Sequence, residues 1–185
     1  PASLRPRRVS LLTRACNKLY SCRSSRRTMV VPDNVVRAVK EADITTVVAW
    51  LDAGGDVNDT AGPHSPFFPG DTLLMGIPQC VVDGTSTQHV ELAKILLQRG
   101  ADVNRIPAQV EDGYSALHCC IDNLSMNSIS TDAAILEIIA IYLASGANVN
   151  HKNWGGDTPL GSALKFSNWY GQGQKRCVLA VATLL

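Results

Sequence analysis

The sequence lacks the signals of several protein classes. Its six cysteines include no C-x-x-C pair and no cysteine–histidine spacing typical of a zinc site. No run of apolar residues approaches the ~18 that a membrane-spanning helix needs. The cysteines are scattered through an aliphatic-rich chain, which favours small buried hydrophobes in a reducing compartment over a disulfide framework. We therefore expect no metal, no cofactor and no transmembrane segment.

Charge is also scarce, and it is unevenly placed. Charged residues make up 18% of the 185 residues, and the formal net charge is only +1. Residues 1–32 contain eight basic residues and no acidic residue. Residues 33–185 therefore contain nine basic and sixteen acidic residues, a net charge of −7. An acidic body favours a partner whose surface is basic or neutral.

The basic segment 1–32 allows three interpretations. Its Arg- and Ser-rich, acid-free composition is typical of an organelle transit peptide. The chain does not begin with Met, and Met29 stands just before the first periodic stretch, so the segment could instead be a disordered leader upstream of the true start. The third interpretation is an arm for nucleic acid or acidic lipid, but Tyr20 is its only aromatic residue. All three predict little packed structure.

What the sequence does contain is a pair of phrases that recur at a fixed step. The first phrase ends in Gly-x-Asp/Asn-Val-Asn, and its glycines are 46 residues apart: Gly54, Gly100 and Gly146. Its final asparagines are Asn58, Asn104 and Asn150. The second phrase opens with glycines that are 43 residues apart, at Gly70, Gly113 and Gly156. Two interleaved phrases at constant spacing predict one supersecondary unit that is copied along the chain.

Each unit is predicted to contain two helices. Ile44, Val47, Val48 and Leu51 recur at i, i+3, i+4 and i+7, which indicates one buried helical stripe before Gly54. A glycine ends such a helix because the C-terminal turn requires a left-handed backbone. The expected helices of this kind are 44–53, 89–99, 135–145 and 178–185. The first of the other helices runs to about Glu41, and Asp33 or Asn34 is its candidate cap. The others begin after the predicted N-caps Thr72, Ser115 and Thr158.

The two phrases together resemble the ankyrin repeat. The best matches are Leu96–Asn104, Gly113–His118 and Gly156–Leu160, and the resemblance covers 33–185. It implies an all-α solenoid of stacked antiparallel helix pairs with β-turn finger loops, in units 33–69, 70–112, 113–155 and an incomplete 156–185. It also implies that His118 and the three asparagines are structural residues that brace neighbouring turns. Because 156–185 stops inside a helix, we expect a fragment.

The units depart from the ankyrin pattern by their length. A step of 43–46 residues exceeds the ~33 of an ankyrin unit. The extra residues are predicted to form enlarged finger loops at 59–69 and 105–112, beside an ordinary finger at 151–155. Polar, turn-forming insertions are expected between the helices of each unit, at 79–88, 122–132 and 167–175.

The predicted function is a non-catalytic scaffold or adaptor for protein–protein interaction. The resemblance implies that partners bind to the finger loops and to the concave face of the inner helices. The candidate partner-binding residues are Phe67, Phe68, Arg105, Tyr114, His151, Trp154, Trp169 and Tyr170. We expect a monomer whose partner is another protein. The cytoplasm is the expected location, with organelle import or the nucleus as alternatives.

An enzymatic role is expected only as part of a longer protein. His118 adjoins Cys119 and Cys120, but adjacency in sequence does not make a nucleophile–base pair, and no third orienting group is indicated. We therefore expect no catalysis and no small-molecule substrate within these residues. The alternative is a regulatory or substrate-targeting segment of a kinase, a ubiquitin ligase or a zinc-finger-containing protein whose catalytic part lies beyond Leu185.

Overall fold

The computed structural model describes residues 30–62, 65, 70–107, 113–124, 129–170 and 182, and it leaves the side chains of 129, 130 and 166–170 undescribed. The described part is mainly helical, in agreement with the all-α expectation. Its helices are α1 (Asp33–Glu41), α2 (Ile44–Asp52), α3 (Leu73–Cys80), α4 (Ser86–Gln98), α5 (Ala116–Leu124), α6 (Ile129–Ala144) and α7 (Pro159–Tyr170). None of these is long and apolar enough to cross a membrane.

The helices pack in two layers. The first layer is formed by α1, α3, α5 and α7, each of which packs against the next. In the second layer α4 packs against α6, and each second-layer helix also packs against the first-layer helix that precedes it in the chain. The core lies between the layers and includes Leu73, Ile77, Leu96, Leu117 and Ile138, all less than 3% exposed.

The predicted N-caps of the first layer are confirmed, apart from the first. The hydroxyl of Thr72 accepts a hydrogen bond from the Met75 N–H at 3.3 Å, and that of Thr158 accepts one from the Gly161 N–H at 3.2 Å. The Ser115 hydroxyl lies 3.5 Å from the His118 N–H. The cap of α1 is Pro32, so the prediction of Asp33 or Asn34 was wrong. Asp33 instead occupies the first turn, where the positive end of the helix dipole stabilises its negative charge.

The helix-ending glycines are also confirmed. Gly54, Gly100 and Gly146 have φ angles of +94°, +87° and +83°, a region that costs other residues free energy. After α4 the Gly100 N–H donates to Leu97 O and the Ala101 N–H donates to Leu96 O, both at 3.0 Å. A Cβ built at any of the three glycines would meet no atom within 4 Å, so the backbone conformation alone requires glycine there.

The predicted inter-helix insertions are only partly confirmed: 81–85 form a turn as predicted, but the other described residues of these insertions are helical. Between α3 and α4 only 81–85 lie outside a helix, because α4 begins at Ser86, three residues before the predicted start. Likewise α5 continues to Leu124 and α6 begins at Ile129, six residues early. Polar residues such as Thr87 and Gln88 are exposed on a helix surface, where they are tolerated as well as in a turn. Residues 125–128 and 171–175, also within the predicted insertions, lie outside the described residues.

A short parallel strand pair was not predicted. Strand β1 (Val30–Val31) pairs with β2 (Thr60–Ala61), with Val30 opposite Thr60 and Val31 opposite Ala61. Thr60 also forms an antiparallel bridge with Thr72, at the start of the next unit. Val31 is 1% exposed. The sequence assigned Val30 and Val31 to the basic segment, but they are part of the packed fold.

The apolar stripe of α2 is less buried than predicted. Val47 is fully buried, but Ile44, Val48 and Leu51 are only half-buried. Helix α2 stands at the end of the second layer and packs mainly against α1, whereas α4 and α6 pack closely against each other. Part of the stripe therefore remains open to solvent on the side of α4.

A proline inside α3 is compensated by a tyrosine from a distant helix. Pro78 has no N–H, so the carbonyl oxygen of Leu74, four residues earlier, cannot receive its helical hydrogen bond. The hydroxyl of Tyr142, on α6, donates to that oxygen at 2.8 Å. Tyr142 is fully buried and Leu74 is 2% exposed, so water cannot replace this bond. The hydroxyl thereby ties the second layer to the first.

We predict that Tyr142→Phe lowers the free energy of unfolding by about 1–3 kcal/mol, because it leaves a buried carbonyl without a donor. In a Pro78→Ala background the new amide at position 78 can bond to Leu74 O, so the loss caused by Tyr142→Phe should shrink clearly. Urea denaturation of the four chains of this double-mutant cycle measures both values. An equal loss in the two backgrounds would contradict the compensation.

Candidate functional site

Asparagine side chains join successive turns of the stack. Asn58 donates from Nδ2 to the Gly100 carbonyl at 3.2 Å, and its Oδ1 accepts from the Asp102 N–H at 2.7 Å. Asn104 repeats this arrangement with the Gly146 carbonyl at 2.9 Å and the Asn148 N–H at 2.7 Å. For Asn150 the structure gives only a bond within its own turn, from its backbone N–H to Asn148 Oδ1 at 2.9 Å. The first two asparagines therefore act as links between units.

His118 makes the corresponding link in the first layer. Its Nδ1 lies 2.8 Å from the Ser115 hydroxyl and accepts from the Ser115 N–H at 3.3 Å. An accepting Nδ1 places the ring proton on Nε2, which then donates to the Asp157 carbonyl at 3.1 Å. Burial lowers the pKa of His118, while the bond to Asp157 opposes this shift. The neutral ring thus connects α5 to the start of α7.

The nucleophile-like groups around His118 are enclosed. Ser115 is 4% exposed and His118 is fully buried. Burial raises the pKa of the Cys119 and Cys120 thiols well above the ordinary value, so both stay protonated. Among the residues that the structure describes, no cluster of three or more His, Cys, Asp or Glu side chains could hold a metal ion. A substrate has no access to this group of side chains.

The third finger loop is fixed onto the end of the second. His151 donates from Nε2 to the Gly113 carbonyl at 2.9 Å. The indole of Trp154 lies against Gly113, where an added Cβ would come within 2.5 Å of the ring. Tyr114 stacks on His118 with ring centroids 5.2 Å apart, and His118 meets the edge of His151 at 5.9 Å. These contacts hold Trp154 in place while 71% of its surface remains exposed.

The predicted partner-binding residues do not form one cluster. Tyr114, His151 and Trp154 come together at the third finger, whereas Arg105 is exposed on the second finger near Asp59. Trp169 and Tyr170 belong to the final turn of α7, not to a loop as predicted, and their side chains are not described. Phe67 and Phe68 lie outside the described residues. The contact between the Trp154 ring and Gly113 was not predicted, because no sequence signal connects residues 41 positions apart.

The first layer exposes few side chains in its middle. Every residue of α3 is buried except Gln79, which is half-buried, and in α5 only Asp122 and Asn123 are not buried. Exposed side chains on this layer come from α1 and from α7, where Leu164 is 50% exposed. The binding face expected on the inner helices is therefore limited to these two helices.

A buried carboxylate stands at the start of α3. Asp71 is 3% exposed, and its Oδ2 accepts from the Gln79 side-chain amide at 3.1 Å. Burial raises the pKa of Asp71 from 3.8 to about 6, and the Gln79 bond only partly offsets this shift. At neutral pH Asp71 is therefore mainly ionised, and this buried charge destabilises the folded chain relative to the unfolded chain.

His89 links α4 to the C-terminal end of α1. It is fully buried, with Nδ1 2.9 Å from the Thr85 carbonyl and Nε2 3.1 Å from the Val39 carbonyl. A neutral ring carries one N–H, so it can donate to only one of these two oxygens. Burial nevertheless lowers the pKa of His89, although both carbonyls favour the protonated ring. In the neutral state the ring donates a hydrogen bond to α1 only when its proton is on Nε2, the nitrogen that faces the Val39 carbonyl.

Comparisons with known proteins return no matching family model and no similar curated protein. The chain's own distinguishing features are helix pairs in two layers, turns joined by asparagine side chains, and an exposed tryptophan that lies against Gly113.

We predict that Asn104→Ala lowers the free energy of unfolding by about 1–3 kcal/mol, since it removes two hydrogen bonds across a unit boundary. Asn150→Ala is the matched control at the equivalent, equally exposed position, and it should cost about 0.5 kcal/mol or less because its side chain makes no such link in the described structure. Urea denaturation measures the difference. Equal losses would show that the links contribute nothing beyond the local turn.

We predict that Asp71→Asn raises the free energy of unfolding at pH 8 by on the order of 2 kcal/mol. Because the pKa of Asp71 is raised in the folded chain, its ionisation lowers the free energy of unfolding above pH 6. This loss disappears as the pH falls from about 6 to 3.8 and Asp71 becomes protonated. The gain from Asn should therefore be large at pH 8 and small at pH 4.5. Denaturation at both pH values tests this, with the exposed Asp33→Asn as control. A gain that is independent of pH would contradict the assignment.

Proposed function

We propose that the folded part of the chain is a solenoid of ankyrin-type repeats that acts as a non-catalytic scaffold for binding another protein. The support for the repeat is that equivalent residues make equivalent contacts one unit apart. Asn58 and Asn104 bond to the following turn with the same two atoms. Thr72 and Thr158 cap their helices through the same hydroxyl-to-amide geometry.

The enclosure of the reactive side chains supports the non-catalytic part of this proposal. A nucleophile must be ionisable and must be reached by its substrate. Ser115 and Cys120 are closed off by the packing of α5, and the pKa of the buried Cys80 thiol is raised to about 12. Each of these groups has a structural role as a cap or a small core residue.

The single observation that carries the binding role is the exposure of Trp154. A large aromatic side chain that is 71% exposed is rare in a packed body, and tryptophan is the residue most enriched at protein-binding hot spots. Its contact with Gly113 and the His151 bond fix the finger before any partner arrives. Such preorganisation reduces the entropy that binding must overcome. The third finger is therefore the proposed centre of the partner surface.

We predict that Trp154→Ala reduces the binding of partners that the tagged full-length chain captures, by about thirtyfold in affinity for a hot spot worth ~2 kcal/mol. Val82→Ala is the matched control, because Val82 is also an exposed apolar residue, at 54%, but lies between α3 and α4. Quantitative mass spectrometry of captured proteins compares the three chains. If Trp154→Ala retains every partner of the unsubstituted chain, the third finger is not the binding surface.

A further inference from the structure

A second surface lies on the outside of the second layer. An open groove of about 530 Å³ crosses the N-terminal half of α4. Its apolar wall is contributed by Ile44 of α2, Val90 of α4 and Ala133 and Ala134 of α6. The groove is open to solvent along its length, so it suits a segment of polypeptide better than a small molecule, which is usually enclosed.

The groove exists because α2 is incompletely covered. Ile44 begins an apolar stripe that periodicity predicts to be buried, yet it is only half-buried. Helix α4 packs closely against α6, and its C-terminal Arg99 pairs with Asp52 of α2, but Ile44 keeps part of its apolar surface exposed to solvent. An occupant that covered Ile44 would gain free energy from burying this surface.

The charges at the groove favour a basic occupant. Lys94 is engaged by Glu137 at 3.3 Å, while the exposed Glu91 forms no ion pair within the described part of the chain. Asp43 adjoins Ile44 in the chain. Residues 33–185 as a whole have a net charge of −7, whereas residues 1–32 add eight positive charges. The attraction of a cation to the groove is therefore assigned to the local charge of Glu91.

We propose that this groove binds a basic amphipathic segment of a partner protein, with aliphatic side chains against Ile44 and Ala133 and a Lys or Arg side chain at Glu91. At the groove itself, nucleic acid or an anionic membrane would bring negative charge to Glu91 and would be repelled. The groove is at the N-terminal halves of α4 and α6, whereas the fingers follow the C-terminal ends of the second-layer helices. The proposal therefore does not depend on the role of Trp154.

The test uses the full chain labelled with ¹⁵N and two synthetic peptides of about 18 residues, long enough to form a helix. One peptide carries leucines at helical spacing with lysines elsewhere, and the other replaces every lysine by glutamate. We expect the leucine–lysine peptide to shift the amide resonances of Ile44, 86–94 and 133–137, and the leucine–glutamate peptide to leave them unchanged.

Two variants at exposed positions then test the contacts. Glu91→Lys should weaken binding of the leucine–lysine peptide about three- to fivefold, the effect of one partly exposed ion pair. Ala133→Arg adds both bulk and positive charge at the wall and should weaken it by more than about tenfold. Asp33→Lys makes the same change in net charge on the first turn of α1 and should have little effect.

Several results would overturn the proposal. Equal shifts with the two peptides would mean that charge does not select the occupant, and shifts confined to the fingers would place binding elsewhere. If Asp33→Lys and Glu91→Lys had equal effects, the net charge of the chain, and not a contact at Glu91, would explain the attraction. Groove resonances that shift with the concentration of the chain itself, without peptide, would identify a second copy as the occupant.

Discussion

A turn between two helices leaves backbone donors and acceptors that neither helix can satisfy, and this constraint governs the whole stack. The chain meets it by using side chains from the neighbouring unit. Asn58 supplies the acceptor for the Asp102 N–H and the donor for the Gly100 carbonyl, and Asn104 does the same one unit later. Because both bonds of each asparagine must form together, they set the register between units as well as stabilising the turn.

The same constraint explains polar side chains that the core would otherwise exclude. Tyr142 is buried because Pro78 removes the donor that Leu74 O needs. His118 is buried because its Nε2 reaches the Asp157 carbonyl of the next unit. Each of these bonds is worth only about 1 kcal/mol net, but loss of one partner leaves a buried group unsatisfied at a larger cost. The bond from His151 to the Gly113 carbonyl and the contact of Trp154 with Gly113 form another such junction between successive units.

The sequence predicted those parts of the fold that a few neighbouring residues determine. Gly54 and Thr72 act through their own backbone or side chain within one turn of a helix, so their roles follow from local spacing. The extent of α4 was missed because Ser86, Thr87 and Gln88 are as compatible with an exposed helix surface as with a turn. The seating of Trp154 on Gly113 was missed for a different reason. It joins residues from successive units, and nothing local to either of them records the contact.

The residues by which α4 and α6 exceed their predicted lengths contribute surface to the fold. Ser86–Gln88 add a turn to the start of α4, and Ala133 and Ala134 belong to the added turns of α6. These turns form part of the wall of the groove beside Ile44. The groove and the Trp154 finger then lie towards opposite ends of the second-layer helices. A partner that occupied one surface would leave the other free, which is the geometry that a scaffold for two partners requires.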